Sequence, residues 1–345
     1  MRTSWPSART WAQRFLLAAS VFVACLAAGE VALGLLGVKR NWRYASGWAA
    51  DDFFCRYVLR PGVFTTDWGG RFRINSLGTR GPEPDHSYVL CLGDSCTFGT
   101  GVKEDSAYPA LLDPRPGAVI NAGIPGYNSF LGWQWLRHSH ILDRHPRLVT
   151  IYYGWNDHRK AAAPERVFYY LRRLSRHSRL AGVLLQAQLS IWSEEPNWRR
   201  VRWCPVVPID EFKSNLTRIV HAVREAGATP VLITAPYAKQ LLPESAPTDE
   251  LPRHAEYAEA VRQVARETGA GLVDLEAIMD APKFGNPSPY FHDFVHLNER
   301  GHRLLADLLK PWVACAKNGT CADAAGPART PEPIRDEESA SNISR

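Results

Sequence analysis

Five short apolar segments separated by helical patterns constrain this 345-residue chain more than any other feature. They lie at 88–93 (YVLCLG), 118–124 (AVINAGI), 148–154 (LVTIYYG), 229–235 (TPVLITA) and 271–275 (GLVDL). Each is short, and most are rich in β-branched residues, as expected of buried strands. Helical patterns are predicted at about 128–143, 209–226, 249–268 and 298–316. Within 209–226 the apolar residues Phe212, Leu216, Ile219, Val220 and Val223 form one stripe, and Gly227 follows as a helix-ending residue. Strand and helix in alternation predict an α/β fold around a mostly parallel sheet. In such folds the functional residues gather at the carboxyl ends of the strands.

Ahead of this body stands FLLAASVFVACLAAGEVALGLLGV, residues 15–38, apolar except for Glu30. Its length suits a bilayer-spanning helix of about 20 residues. Arg2, Arg9 and Arg14 precede it and Lys39, Arg40 and Arg43 follow, so flanking charge alone does not orient it. The primary expectation is an uncleaved signal-anchor with residues 1–14 cytoplasmic and the body exported, to a periplasmic or extracellular location. Cleavage after Ala27, Ala28 or Gly29 and a buried core helix are the alternatives. Glu30 would cost up to ~3 kcal/mol at mid-bilayer, and less near the end of the span, where it lies.

Residues 40–87 are aromatic and Gly-rich and are expected to form short strands packed on the main domain, which is placed at 88–320. An insertion at 158–208 breaks the alternation. It carries ten Lys/Arg against three Glu, together with Trp192, Trp198 and Trp203. Its position predicts either a lid over the carboxyl edge of the sheet or a satellite subdomain. The tail, 325–345, lacks apolar periodicity and is expected to be disordered. A net charge of +6 is far from the dense basic stripe of a nucleic-acid binder, so no nucleic-acid partner is expected. Among the seven cysteines, Cys315 and Cys321 are spaced to close a small loop, and Cys55 and Cys204 are a second candidate pair. No Cys/His cluster has metal spacing, and no cofactor or metal is expected.

The stretch LGDSCTFG, residues 92–99, ends the first strand in Gly93, Asp94 and Ser95. Asp94 and Ser95 are helix N-cap types, so a helix is predicted to start there with a serine lifted above the sheet edge. Acyl transfer by serine needs an activated hydroxyl, a base, a group orienting that base and donors for the oxyanion. Candidates follow successive strands. Ser95 follows the first, NAGIPGYNS with Gly126 the second, and GWND with Asn156 the third. HDFVH, before the last helix, supplies Asp293 and His296. Spaced i, i+3, the last two would share a face of a helical turn. His292 is the rival base, one residue from Asp293. Cys96 reads as a small packing residue.

In that order, GDS after a strand, N-x-G-x-x-G, GWND and D-x-x-H resemble the four blocks of the SGNH (GDSL-type) hydrolase superfamily over residues 88–316. The resemblance implies a flavodoxin-like three-layer α/β/α sandwich holding a serine esterase. It implies Ser95 as nucleophile, His296 as base and Asp293 as its orienter, with Ser95 N–H, Gly126 and Asn156 as the oxyanion hole. RINSLGTRGPEP, residues 73–84, is similar to the lead-in of membrane-anchored bacterial members. Cys96 and the long basic insertion depart from the family pattern.

The leading expectation is an ester hydrolase acting through an acyl-enzyme at the exported face of the membrane, on an ester-bearing small molecule or an acylated carbohydrate. An O-acyltransferase or deacylase of envelope or extracellular polysaccharide shares the same first half-reaction. A membrane-tethered binding protein that lost the reaction is the contrasting class.

Overall fold

A computed structural model describes residues 8–38, 46–68, 70–185, 204–244, 250–282 and 284–318. The chain divides into two compact units, one of residues 1–43 and 161–203, the other of residues 44–160 and 204–345.

In the larger unit two antiparallel hairpins come first: β1 (Ala49–Asp51) with β2 (Tyr57–Leu59), and β3 (Gly62–Thr66) with β4 (Gly70–Ile74). The five predicted strands then follow as β5 (Val89–Gly93), β6 (Val119–Gly123), β7 (Leu148–Tyr152), β8 (Thr229–Ile233) and β9 (Gly271–Val273). They form one sheet in the order β9-β8-β7-β5-β6, and every pairing is parallel. Read from the first core strand this is the 2-1-3-4-5 flavodoxin order, with its switch point between β5 and β7. Right-handed crossovers that change direction at β5 send the helices to opposite faces. On one side α4 (Ser129–His138), α7 (Ile209–Glu225) and α8 (Glu250–Thr268) pack in succession; on the other α3 (Tyr108–Leu112) packs on α10 (Glu299–Asn318). Every residue of β5 and β7 is buried, which accounts for the continuous apolar runs in place of alternation.

The boundaries depart from expectation in two places. The helix predicted over 128–143 stops at His138, because His140 takes a left-handed conformation (φ +55°) and a short 3₁₀ turn, Ile141–Arg144, follows. The last strand ends at Val273, since the Asp274 side chain accepts from Ala277 N and caps α9 (Leu275–Asp280).

The extension meets β6 at one point of its free edge. Arg80 N donates to Asn121 O at 3.0 Å in an isolated antiparallel bridge. Asn75 ties its loop, accepting from Leu77 N, Thr79 N and Thr79 Oγ1 and donating to Pro82 O.

The smaller unit contains α1 (Ala8–Leu35), α5 (Glu165–Ser175) and a helical stretch over residues 179–185, called α6. Residues 10–35 of α1 are long and apolar enough to cross a membrane, with a mean hydropathy of 2.2 and none of that window buried. This excludes a core helix among the described residues. Of the insertion, the described residues 161–185 fall in the same unit as this helix, and 158–160 and 204–208 in the larger one. Trp192, Trp198 and the 325–345 tail lie outside the described residues.

One cysteine expectation is corrected. Cys55 and Cys204 do not form a disulfide: Cys55 is buried within the extension, and Cys204 is half-buried near the end of the insertion. Cys315 is disulfide-bonded, and Cys321 lies outside the described residues.

Candidate active site

Ser95 is the first residue of α2 (Ser95–Phe98), at the carboxyl end of β5. Asp94 caps the helix: its Oδ1 accepts from Cys96 N at 2.8 Å. The helix lies almost on the sheet. A Cβ on Gly93 would stand 2.1 Å from Thr97 Oγ1 and 2.7 Å from Tyr152 O, and one on Gly123 would stand 2.1 Å from Phe98 N. Gly93 is thus required by close approach. Cys96, the second residue of the helix, is buried, and desolvation holds its thiol far above the usual range.

His296 reaches Ser95 across 201 positions of sequence, its Nε2 standing 2.9 Å from Ser95 Oγ. Its Nδ1 stands 2.7 Å from Asp293 Oδ2. The Asp293–His296 spacing works by a different local structure from the helical turn expected. Residues 291–297 form a loop closed by a bridge between Phe291 and Leu297, and α10 begins only at Glu299. Asp293 Oδ1 accepts from Val295 N (2.8 Å) and His296 N (2.6 Å), which folds the chain back so that Oδ2 meets the imidazole. Partial burial pushes the Asp293 carboxyl up, but these bonds and the charge of His296 outweigh it and hold it at about 2. His292 packs its ring against Gly101, and its N–H donates to His296 O. The imidazole bonded to Ser95 is that of His296.

Gly126, at φ +80°, is exposed after β6, and a Cβ there would approach Tyr57 Oη to 2.9 Å. Among the described residues the N–H groups of Ser95 and Gly126 have no hydrogen-bond partner. Asn156, after β7, is held differently: its Nδ2 donates to Asp94 Oδ2 (3.1 Å) and to Tyr127 O (2.8 Å). Desolvation raises the buried Asp94 carboxyl to about 6, against the bonds from Cys96 and Asn156 and the charge of His296.

Several supporting groups were not foreseen. Arg80, buried, donates from Nη1 to Phe98 O and Gly99 O (2.7 Å each) and from Nη2 to Val102 O (2.8 Å). It thereby clamps the carbonyls that close α2. Its one sequence signal was the GTRG turn in the lead-in, read as family likeness and not as a role. Tyr57, from the extension, donates to Pro125 O, and Tyr127 donates to Tyr57 O, so the loop carrying Gly126 is tied to β2. Trp155 donates to Pro236 O, stacks on His254 at 4.1 Å and meets Phe294 edge-on at 5.8 Å, beside Asp293. His254 Nε2 lies 2.7 Å from Ala235 O, and its Nδ1 lies 3.0 Å from His158 Nε2. Burial lowers His254 to about 4, so both rings are neutral: His254 donates to Ala235 O and accepts from His158.

Taken together, a hydroxyl is bonded to an imidazole, the imidazole to a carboxylate, and two unengaged backbone N–H groups and an amide stand close by. This arrangement suits nucleophilic attack on a carbonyl. No group of His, Cys, Asp and Glu among the described residues is arranged to hold a metal ion.

The chain is similar to several known proteins. Residues 91–304 match the GDSL-like Lipase/Acylhydrolase family. A curated protein from Bos taurus, "Isoamyl acetate-hydrolyzing esterase 1 homolog", is 31% identical over 248 residues, 65% of this chain and 80% of that protein. Among solved structures, a lipase/acylhydrolase from Enterococcus faecalis is 20% identical, with 67% of this chain and 96% of that one covered and a TM-score of 0.44. The acetylxylan esterase Axe2 from Geobacillus stearothermophilus is 22% identical, covering 65% and 92% with a TM-score of 0.42.

Proposed function

The chain belongs to the GDSL-like lipase/acylhydrolase family and is an esterase of that type, and from this premise we propose that it works through an acyl-enzyme formed on Ser95. The observation that carries the reading is the unbroken chain Ser95 Oγ–His296 Nε2 (2.9 Å), His296 Nδ1–Asp293 Oδ2 (2.7 Å). Ser95 Oγ attacks the ester carbonyl while its proton passes to His296 Nε2. Asp293 fixes the tautomer with Nε2 unprotonated and stabilises the imidazolium that forms. The tetrahedral oxyanion is met by Ser95 N–H, Gly126 N–H and Asn156 Nδ2, one amide hydrogen of Asn156 exchanging Tyr127 O or Asp94 for the substrate oxygen. Collapse breaks the ester C–O bond, and His296 returns the proton to the leaving alcohol. Water, deprotonated by His296, then releases the acid and regenerates Ser95.

The substrate in this reading is a short acyl ester of a small alcohol or a carbohydrate, in keeping with a relative named for isoamyl acetate hydrolysis. Helix α1 anchors the chain in a membrane, with the larger unit on the exported side. The test is turnover of p-nitrophenyl acetate by the detergent-solubilised full chain against Ser95→Ala and His296→Ala. Both variants are expected to lose turnover, and a fluorophosphonate probe is expected to label only chains that retain Ser95. Equal rates in the parent and Ser95→Ala would end the reading. Supplying an acetylatable oligosaccharide separates hydrolysis from transfer, since the acyl group then appears either as free acid or on the sugar.

A further inference from the structure

A second feature, inside the smaller unit, concerns Glu30, the one charged side chain between residues 15 and 38. Its carboxylate accepts from Ser178 Oγ and from the backbone N–H groups of Arg179 and Leu180, the latter two at 2.9 Å. Those groups are the start of α6, where Ser178 Oγ also accepts from Ala181 N (3.1 Å) as an N-cap. Arg179 completes the attachment. Its Nε donates to Val38 O at 3.0 Å, and its guanidinium lies against Gly34, where a Cβ would stand 3.3 Å from Cζ. The insertion is therefore fastened to the C-terminal end of α1. Glu30 precedes Leu35 by five residues, which at helical rise is about 7–8 Å of depth. A carboxylate that would be unfavourable in hydrocarbon here meets a hydroxyl and two helix N-terminal amides at that depth.

Helix α5, in the same unit, is two-faced. Tyr169, Arg172 and Ser175 turn inward, whereas Val167, Tyr170 and Leu174 are 37%, 66% and 53% exposed. The spacing i, i+3, i+7 puts these three on one stripe. Arg166 and Arg173 lie beside that stripe on the helix, and Arg176 follows its end. Val183 and Leu184 of α6 are exposed as well. Across residues 161–185 there are five arginines and one acidic residue.

We propose that residues 161–185 form a membrane-interface platform whose exposed stripe, Val167, Tyr170 and Leu174, enters the headgroup–acyl boundary of an anionic bilayer. The proposal rests on reading α1 as the anchor in that same bilayer. Three observations select lipid as the occupant. The platform is fastened to α1 at the depth where the helix leaves the hydrocarbon. Its stripe is apolar with a tyrosine at the centre, the side-chain mix of interfacial helices. Its charge excess is basic, and it complements anionic phospholipid headgroups. With this platform the insertion becomes part of the anchor, and α1 becomes a structural element that the folded chain keeps.

The test uses the full chain with Cys25→Ser and Cys204→Ser, Cys55, Cys91 and Cys96 being buried. Nitroxide labels are placed singly by Tyr170→Cys, Leu174→Cys and, within α1, Ser20→Cys. The chain is reconstituted in phosphatidylcholine vesicles with and without phosphatidylglycerol, and collision with oxygen and with a nickel chelate is measured. Labels at 170 and 174 are expected to gain oxygen and lose nickel accessibility, moving toward the values at position 20, more so with phosphatidylglycerol. A label at 20 in lipid with those at 170 and 174 open to nickel overturns the platform and leaves the anchor intact. A label at 20 open to nickel overturns the anchor, and the platform with it. Low access to both quenchers at 170 and 174 means a protein contact, and no effect of phosphatidylglycerol removes the anionic preference; each overturns the proposal.

Discussion

The Arg80 guanidinium stacks over the ring of Phe98, 4.6 Å from its centroid, while donating to the carbonyl of that same residue. The side chain from the lead-in thus grips the far end of the four-residue helix that begins with Ser95. Burial lowers Arg80 to about 10, so it is charged throughout the physiological range, and three carbonyls share that charge. Arg80→Met keeps much of the volume and removes every one of these bonds. It should cost about 3–5 kcal/mol of stability, the range for breaking a buried charged network. Urea denaturation of the detergent-solubilised chain reads this as a lower midpoint, and a loss below ~1 kcal/mol would mean that the clamp is energetically idle.

Asp293 performs two tasks with two oxygens, and one substitution separates them. In Asp293→Asn the amide oxygen still accepts from Val295 N and His296 N, so the loop survives. The amide nitrogen then faces His296 Nδ1 and demands the tautomer with Nε2 protonated, which cannot take the Ser95 proton. A fall in kcat of roughly 10³–10⁴ is expected, of the size known for the same change in a Ser-His-Asp protease. The melting temperature should hardly move. A variant with near-parental kcat would remove Asp293 from its role.

Much of this was legible in the sequence, and the reasons are local. The central strands β5 and β7 are paired on both sides and wholly buried, so their apolar runs survive as a direct record of position, and Ser95, Gly126, Asn156 and His296 each sit where a strand or helix boundary announces itself. Arg80 left no such trace, because a buried arginine that serves three carbonyls of a distant loop looks like any other arginine until the chain is folded. The Asp293–His296 contact arises from a local structure the sequence does not single out: i, i+3 spacing fits a helical turn and an Asp-capped loop equally well, and only the bridge between Phe291 and Leu297 distinguishes them. The contact between Glu30 and residues 178–180 joins positions about 150 apart with no pattern between them.

Asn156 is committed to two internal acceptors before any substrate arrives, and this gives its substitution two readouts. Asn156→Ala removes an oxyanion donor and should lower kcat roughly 10²–10³-fold, with KM little changed. It also leaves Asp94 Oδ2 without its amide partner in a buried site, so the Asp94 carboxyl should rise further above about 6. Infrared difference spectra of a ¹³C-aspartate-labelled chain across pH 5–8 would follow that shift. A variant that keeps its kcat would show that the two backbone N–H groups suffice.

Asp157 supplies a pH dependence of stability distinct from catalysis. Its Oδ1 accepts from Ser129 N at 2.9 Å, while Oδ2 is buried without a partner among the described residues. Desolvation raises this carboxyl to about 7, far above the ordinary carboxylate value reached on unfolding. Between the two values the folded chain holds a proton that the unfolded chain has released. The stability from this group is therefore fully present below the unfolded pKa and is lost as pH rises through about 7. Asp157→Asn cannot ionise and should lack that loss. Melting temperatures at pH 6 and pH 8 are expected to fall more for the parent than for Asp157→Asn, with Ser129 N still bonded to the amide oxygen in the variant. Equal falls in the two proteins would mean that Asp157 does not titrate in this window.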